Sequence, residues 1–166
     1  MKKSLVVVLV LAVLVAFVGC TKEDTAFNYE SIDKEWSIEI PKEYKEDKKE
    51  SKDGFYYVSY RDENGGILSI HEVNDKDIVV NEESLEADLG DDEYLHMTRK
   101  ETLDVEGIGK VYGGLIKDIS THGYMFYYKL RINDKVVNVL IFKKSEFTLE
   151  EEGEIKNMIG TIKKLK

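Results

Sequence analysis

The sequence predicts an α+β domain in which an antiparallel β-sheet is flanked by helices, and three observations lead to this prediction. Segments of alternating apolar and polar residues recur along the chain, as they do in strands with one buried face. Short turn sequences such as Asn133-Asp134 join neighbouring segments, which favours antiparallel pairing. The last part of the chain, residues 148–166, carries apolar residues at helical spacing. Strand hairpins combined with amphipathic helices are typical of α+β domains.

The first half of the chain contains three candidate strands. Residues 36–40 alternate apolar and polar side chains and stop at Pro41, the only proline, which cannot donate to a strand ladder. The charged stretch 42–52 is interpreted as a solvated loop or a ragged strand end. Residues 55–60 and 67–73 flank an Asn-Gly turn, so we expect them to pair as an antiparallel hairpin.

A short helix is predicted over residues 81–89. Asn81 is a favourable N-cap residue, and Gly90 stands just past the last apolar residue, where helices often end. Leu85 and Leu89 lie about one turn apart and give the helix an apolar edge.

The clearest hairpin joins residues 124–132 to residues 135–143, after two further strands at 96–105 and 110–119. Pairing across the Asn-Asp turn makes one face apolar, with Leu130 opposite Val137, Tyr128 opposite Val139 and Phe126 opposite Ile141. The far end of the other face carries four more large side chains: Met125, Tyr127, Leu140 and Phe142. A solvated face does not carry such a group, so we expect either that a helix covers these four residues or that they form a binding surface.

The final helix is predicted to begin at Thr148, which has capping-box spacing to Glu151. Three lysines lie at its expected end, where positive charge interacts favourably with the helix dipole: Lys163, Lys164 and Lys166. Its apolar residues form one stripe, which we expect to pack against the sheet: Leu149, Ile155, Met158, Ile159, Ile162 and Leu165.

Residues 36–44, Trp-Ser-Ile-Glu-Ile-Pro-Lys-Glu-Tyr, resemble the first strand of PsbP-like domains. The helix at 81–90, a strand containing Gly113-Gly114, the long hairpin and the last helix follow in similar order. The resemblance covers residues 34–166 as a single globular domain and implies an α/β/α sandwich. The superfamily includes an extrinsic photosystem subunit and a nuclear-transport factor that binds the GTPase Ran. The resemblance therefore implies an accessory or binding protein, and it transfers no functional residue to this chain.

The N-terminal residues have the pattern of a secretory signal peptide. Lys2 and Lys3 precede an apolar run over residues 5–18, and the small residue Gly19 then precedes Cys20, the only cysteine. The run is shorter than the ~20 apolar residues of a transmembrane helix. We therefore expect residues 1–19 to be removed on export.

Residues 17–20, Phe-Val-Gly-Cys, resemble the lipobox of bacterial lipoproteins, with Phe at the position that usually carries Leu. The resemblance implies that Cys20 receives a diacylglyceryl thioether, carrying acyl chains such as palmitate, and becomes the mature N-terminus. The polar residues 20–33 would then be a flexible tether, and the domain would lie at the extracytoplasmic face of the cell membrane. The alternative is a free thiol at the end of an ordinary cleaved signal peptide or of an uncleaved short anchor.

The charge of the chain argues against nucleic acid as a partner. Acidic residues outnumber basic ones by 33 to 24, for a net charge of −9. Phosphate backbones and anionic lipid surfaces are bound by clustered Lys and Arg. We therefore expect the membrane contact to be made through the N-terminal lipid.

Motifs for catalysis, metal ions or cofactors are not recognisable in the sequence, and we predict no cofactor. His71, His96 and His122 are far apart in the chain and have no ligand spacing. The acidic cluster from Asp88 to Glu93 is interpreted as a solvated loop, and cation binding there stays open. We expect a non-catalytic binding or accessory module with an unknown protein or small-molecule partner. The main alternative is an enzyme or metal-dependent factor whose site is assembled only in three dimensions, and a third possibility is a structural component of the envelope.

Overall fold

The computed structural model describes residues 25–165, so the predicted signal peptide and Cys20 lie outside the described residues. The elements are β1 (Ala26–Glu30), β2 (Trp36–Pro41), β3 (Lys45–Lys52), β4 (Phe55–Arg61), β5 (Ile67–Asn74), α1 (Glu82–Leu89), β6 (Leu95–Val105), β7 (Gly109–Asp118), β8 (Gly123–Ile132), β9 (Lys135–Lys143), α2 (Leu149–Gly160) and β10 (Lys163–Lys164). Over residues 25–165, neither helix has the length and apolar character needed to cross a bilayer.

Seven strands form one antiparallel sheet in the order β3-β4-β5-β9-β8-β7-β6. The β8–β9 hairpin has the predicted register, with Tyr128 opposite Val139 and Tyr127 opposite Leu140. The predicted β4–β5 hairpin is also confirmed. Strand β3 is exposed along its whole length and pairs only with β4. Its run of charged residues protects this edge of the sheet from pairing with another chain.

The main core lies on one face of the large sheet. A three-stranded sheet, in the order β1-β2-β10, supplies three fully buried side chains from β2: Trp36, Ile38 and Ile40. They belong to one apolar cluster with Ile159 of α2 and Tyr128 of β8. The small sheet and α2 together therefore cover this face.

The opposite face of the large sheet carries a smaller core beneath α1. Leu85 of α1 is fully buried against Ile116 of β7 and Tyr127 of β8. Antiparallel sheets with two helices are thus the architecture, and the expectation of a sheet flanked by helices fits only partly. A second sheet supplies much of one covering layer, because β1 and β10 both pair with β2.

The predicted tether at residues 20–33 is wrong for the part that contains β1. Residues Ala26–Glu30 pair antiparallel with β2, and Tyr29 lies opposite Ile38. Phe27 and Tyr29 stand two residues apart, so both point toward the core while their neighbours face outward. Two aromatic residues at alternate positions in a polar segment are not enough to predict a strand from the sequence.

The C-terminal helix is shorter than predicted. Its capping box of Thr148 and Glu151 is confirmed, but the helix ends at Gly160. The N–H groups of Thr161 and Ile162 close the last turn on Met158 and Ile159, and the chain then pairs with β2 as β10. Leu149, predicted to lie on the buried stripe, is 87% exposed. It occupies the first turn, beyond the region where α2 meets the sheet.

Candidate functional site

A groove of about 250 Å³ lies at the C-terminal end of α1, above strands β5, β8 and β9. It is lined by His71, Asp88, Leu89, Leu95, Met125, Tyr127, Asn138 and Leu140. We call it the α1 groove. Of the four residues expected either to be covered by a helix or to form a binding surface, Tyr127 is buried beneath α1, whereas Met125 and Leu140 are half-buried and line the groove. Phe142 lies outside it, because its ring covers Gly123 and it borders a different cavity.

The position of the groove is determined by how α1 is held. The Asn81 side chain accepts a hydrogen bond from the backbone N–H of Ser84 at 2.8 Å, and the Ser84 hydroxyl accepts one from the N–H of Asn81. This reciprocal capping starts the helix where the sequence predicts it. Leu85 anchors the inner side of α1, and Asp88 lies three residues farther on the same side. The helix therefore directs a carboxylate at the sheet.

Asp88 forms a buried ion pair with Lys129 of β8. The Lys129 ammonium lies 2.9 and 2.8 Å from the two carboxylate oxygens, and its side chain is 3% exposed. The Tyr127 hydroxyl donates to the same carboxylate and lies 3.0 Å from Oδ1 of Asn138. The Tyr127 hydroxyl has one proton, which it donates to Asp88, so it can only accept a hydrogen bond from Asn138. Asn138 makes this hydrogen bond when its NH₂ group, rather than its Oδ1, faces Tyr127. The floor of the groove is polar but electrically neutral.

Burial of Tyr127 raises the pKa of its hydroxyl far above the ordinary value, and the hydrogen bond to Asp88 adds to this effect. Tyr127 is therefore protonated at any physiological pH and serves as a hydrogen-bond donor. Sequence reasoning placed Tyr127 correctly but missed the Asp88–Lys129 pair. One feature of the sequence indicates such a pair. Lys129 lies on the same strand face as the apolar Met125 and Tyr127, and no acid stands near it in the sequence to pair with it.

His71 forms the wall of the groove on β5. Its ring makes edge contacts with Tyr57 and Phe55, at centroid distances of 4.8 and 6.0 Å. Burial lowers the pKa of His71 below the usual value for histidine, so the imidazole is neutral at pH 7. His71 thus contributes an aromatic surface and a neutral hydrogen-bonding group rather than a charge.

The other polar residues considered as ligands are not brought together. His71 lies on β5, His96 on β6 and His122 in the turn between β7 and β8. Of the acidic cluster, Asp88 reaches the groove, whereas Asp92 accepts a hydrogen bond from the N–H of Tyr94 in its own loop. Within residues 25–165, no group of three His, Cys, Asp or Glu side chains is placed to hold a metal ion.

A second cavity, of about 210 Å³, lies between the end of β2 and the first turns of α2. Four carboxylates border it: Glu43, Asp62, Glu151 and Glu154. Lys143 pairs with Glu151 at 2.5 Å. Burial, reinforced by these acids, raises the pKa of Tyr44 to about 12. The excess of acid makes this cavity unfavourable for anions.

No known family model matches the chain, and no curated protein sequence matches it significantly. Solved structures do match. The cyanobacterial PsbP (CyanoP) from Synechocystis sp. PCC 6803 aligns with a TM-score of 0.58 and 11% identity, over 87% of this chain and 95% of that one.

A single-residue variant of the protein Mog1 aligns with a TM-score of 0.53 and 12% identity, over 82% of this chain and 94% of that one. The similarity extends over nearly the whole length of both proteins, although the sequences have diverged far. The chain therefore has a PsbP- and Mog1-like fold.

Proposed function

We propose that this protein is a lipid-anchored extracytoplasmic lipoprotein whose domain acts as a non-catalytic binding or accessory module. Cys20 supports the anchor, because it follows a charged and then apolar leader and is the only cysteine in the chain. The α1 groove supports the binding role. It combines half-buried apolar side chains with a few polar groups, as ligand and partner sites do.

The polar groups of the groove are arranged for recognition rather than for proton transfer. Asp88 is paired with Lys129, so neither group carries an uncompensated charge into the groove. Tyr127 donates its one proton to Asp88, so its oxygen can only accept from a partner, and Asn138 offers an amide. A partner that places an apolar group between Met125 and Leu140 would bury those side chains and reach these polar groups.

Replacing the anchor cysteine tests the first half of this proposal. Cys20→Ser removes the acylation site and leaves residues 25–165 unchanged, so we expect a folded protein that incorporates no labelled fatty acid and that either keeps its leader uncleaved or is shed from the membrane. The measurement is metabolic labelling with a palmitate analogue, followed by fractionation. A Cys20→Ser protein that still incorporates label and stays in the membrane would refute the anchor.

Charging the groove tests the second half. Leu140→Glu places a carboxylate among the apolar walls, and we expect it to abolish recovery of a partner from cross-linked envelope extracts. Ile119→Glu is the matched control, because Ile119 is 41% exposed and lies outside the groove. Thermal midpoints of both variants should be measured first. Recovery of the same partner by folded Leu140→Glu and by wild type would place the binding site elsewhere.

A catalytic role is the second candidate, and the convergence of His71 and Asp88 in one groove favours it. Two titratable groups in a cleft are a common feature of active sites. Against it, the Asp88 carboxylate is directed at Lys129 and Tyr127 and does not orient the imidazole. His71→Gln separates the two roles. If His71 only lines a binding site, the variant should keep its partner and the partner should be found in the same chemical form as with wild type. If His71 is catalytic, the variant should keep its partner but the unconverted form of that partner should accumulate.

A further inference from the structure

A separate cavity of about 190 Å³ lies on the other face of the large sheet, at the end opposite the acidic cavity. The β1–β2 turn, the β3–β4 turn and the ends of β5 and β9 enclose it. Glu72 of β5 lines it together with Ile32, Asp33, Tyr56 and Lys135. We call it the Glu72 cavity. It is independent of the α1 groove, because alternate residues of β5 face opposite sides of the sheet.

Glu72 is a buried carboxylate held by neutral donors. Its side chain belongs to a residue that is 3% exposed, and it accepts hydrogen bonds from the Tyr29 hydroxyl and from Nε1 of Trp36, both at 3.2 Å. Among residues 25–165, no Lys, Arg or His nitrogen lies within the 4.0 Å of an ion pair with Glu72. A buried charge without a counter-ion costs several kcal/mol. Either a proton or a cation from outside must compensate it.

The one basic side chain of the cavity is already engaged. Lys135 forms ion pairs with Asp33 and with Glu35, the latter at 3.3 Å. Its ammonium therefore sits at the rim between two carboxylates. Glu72 lines the same cavity without pairing with this ammonium group, and the negative charge of nearby Glu35 adds to the effect of burial in raising the pKa of Glu72.

We propose that the Glu72 cavity binds a small organic cation of the alkylammonium class, whose ammonium group donates hydrogen bonds to Glu72. A carboxylate that accepts two hydrogen bonds retains free lone pairs for a further donor. Ile32 and Tyr56 line the cavity and offer apolar surface to a short alkyl chain. A divalent metal is disfavoured, since Ca²⁺ takes six to eight oxygen ligands and the described residues bring no such group together.

The position of Trp36 supplies a direct test. Trp36 is the only tryptophan of the chain, and its indole N–H donates to Glu72. We expect ethylammonium chloride to change the Trp36 fluorescence of the full-length protein, kept in non-ionic detergent, in a saturable manner. Ethanol serves as the uncharged probe and sodium chloride as the ionic-strength control, and neither should produce the change.

Glu72→Gln keeps the shape of the side chain and one acceptor oxygen but removes the charge. We expect it to weaken ethylammonium binding by at least about tenfold. Glu106→Gln, which removes one charge from an exposed turn, should bind like wild type. The absence of a saturable change in wild type, or equal affinity in wild type and Glu72→Gln, would overturn the proposal.

A pH series on wild type decides the matter if Glu72→Gln does not fold. Burial raises the pKa of Glu72, while the hydrogen bonds from Trp36 and Tyr29 oppose this effect. The charged groups nearby are Glu35, Asp33 and Lys135. Ethylammonium affinity should fall as the pH is lowered and Glu72 becomes protonated. An ethylammonium affinity that stays constant as the pH is lowered from neutral would refute Glu72 as the binding group.

Discussion

Glu72 and Lys129 are the two charged residues that the fold buries most completely among residues 25–165, with exposures of 3% and 2%. Lys129 meets its counter-ion, Asp88, whereas Glu72 meets only the neutral donors Tyr29 and Trp36. The two sites therefore differ in their energetics. A buried pair compensates part of the cost of desolvation, and a single buried carboxylate does not.

The raised pKa of Glu72 makes a prediction about stability. For an acid whose pKa is higher in the folded state, the protein is stabilised at low pH, and this stabilisation is lost as the pH rises through the folded-state pKa. Glu72→Gln cannot lose a proton. In the absence of added cation, we expect the variant to be more stable than wild type at neutral pH.

The check is chemical denaturation of both proteins across a pH series. The advantage of Glu72→Gln should shrink as the pH is lowered, because wild-type Glu72 then becomes neutral as well. Glu106→Gln is again the control for a change of net charge. A Glu72→Gln protein that is less stable than wild type at neutral pH would contradict the prediction, and would mean that the hydrogen bonds from Tyr29 and Trp36 outweigh the cost of burying the charge.

At the scale of the element, α1 has eight residues and depends on tertiary contacts for its stability. Isolated helices of this length are marginal in water. Leu85 packs beneath α1, Lys100 pairs with Glu86 at 2.9 Å, and Asp88 reaches Lys129. Leu85 and Asp88 therefore secure the inner side of α1, and the α1 groove forms at the end where the helix leaves the sheet.

Truncation of Leu85 tests how much of the stability of α1 and of the domain depends on this packing. Leu85→Ala should destabilise the domain by about 2–5 kcal/mol, the range for a fully buried leucine. Leu149→Ala is a matched control in the other helix, because Leu149 is 87% exposed. It should change stability by less than about 0.5 kcal/mol. Equal thermal midpoints for the two variants would contradict the placement of α1.

At the scale of the whole molecule, β1 joins the N-terminal chain to the folded domain. Thr25 accepts a hydrogen bond from the N–H of Lys42 at 3.0 Å, so the domain begins five residues after Cys20. A chain of that length reaches at most about 18 Å when fully extended. With the proposed lipid at Cys20, the domain would therefore be held close to the bilayer, with less freedom than a tether through residue 33 would allow.

Deleting β1 tests whether it belongs to the domain. A chain that begins at Ser31 lacks Tyr29, which is 7% exposed and donates to Glu72, so we expect a loss of about 3–5 kcal/mol. A chain that begins at Thr25 keeps β1 and should retain the wild-type thermal midpoint. If both chains melt together, residues 25–30 are part of the tether after all.

Local features of the sequence were sufficient to predict most elements of this fold. The caps at Asn81 and Thr148, the turn at Asn133-Asp134 and the register of the β8–β9 hairpin all followed from residues close together in the chain. These features have short periods or fixed local geometry, so the sequence contains them directly. The fold class and the family resemblance followed from their order.

The tertiary structure alone decided which distant residues meet. Tyr29 and Trp36 reach Glu72 across 43 and 36 residues, and Lys129 reaches Asp88 across 41. Strands β1 and β10 exist because β2 offers both of its edges, which no local pattern indicates. Contacts of this kind depend on how sheets and helices stack. A single sequence shows the chemistry of each residue but not which distant residues come into contact.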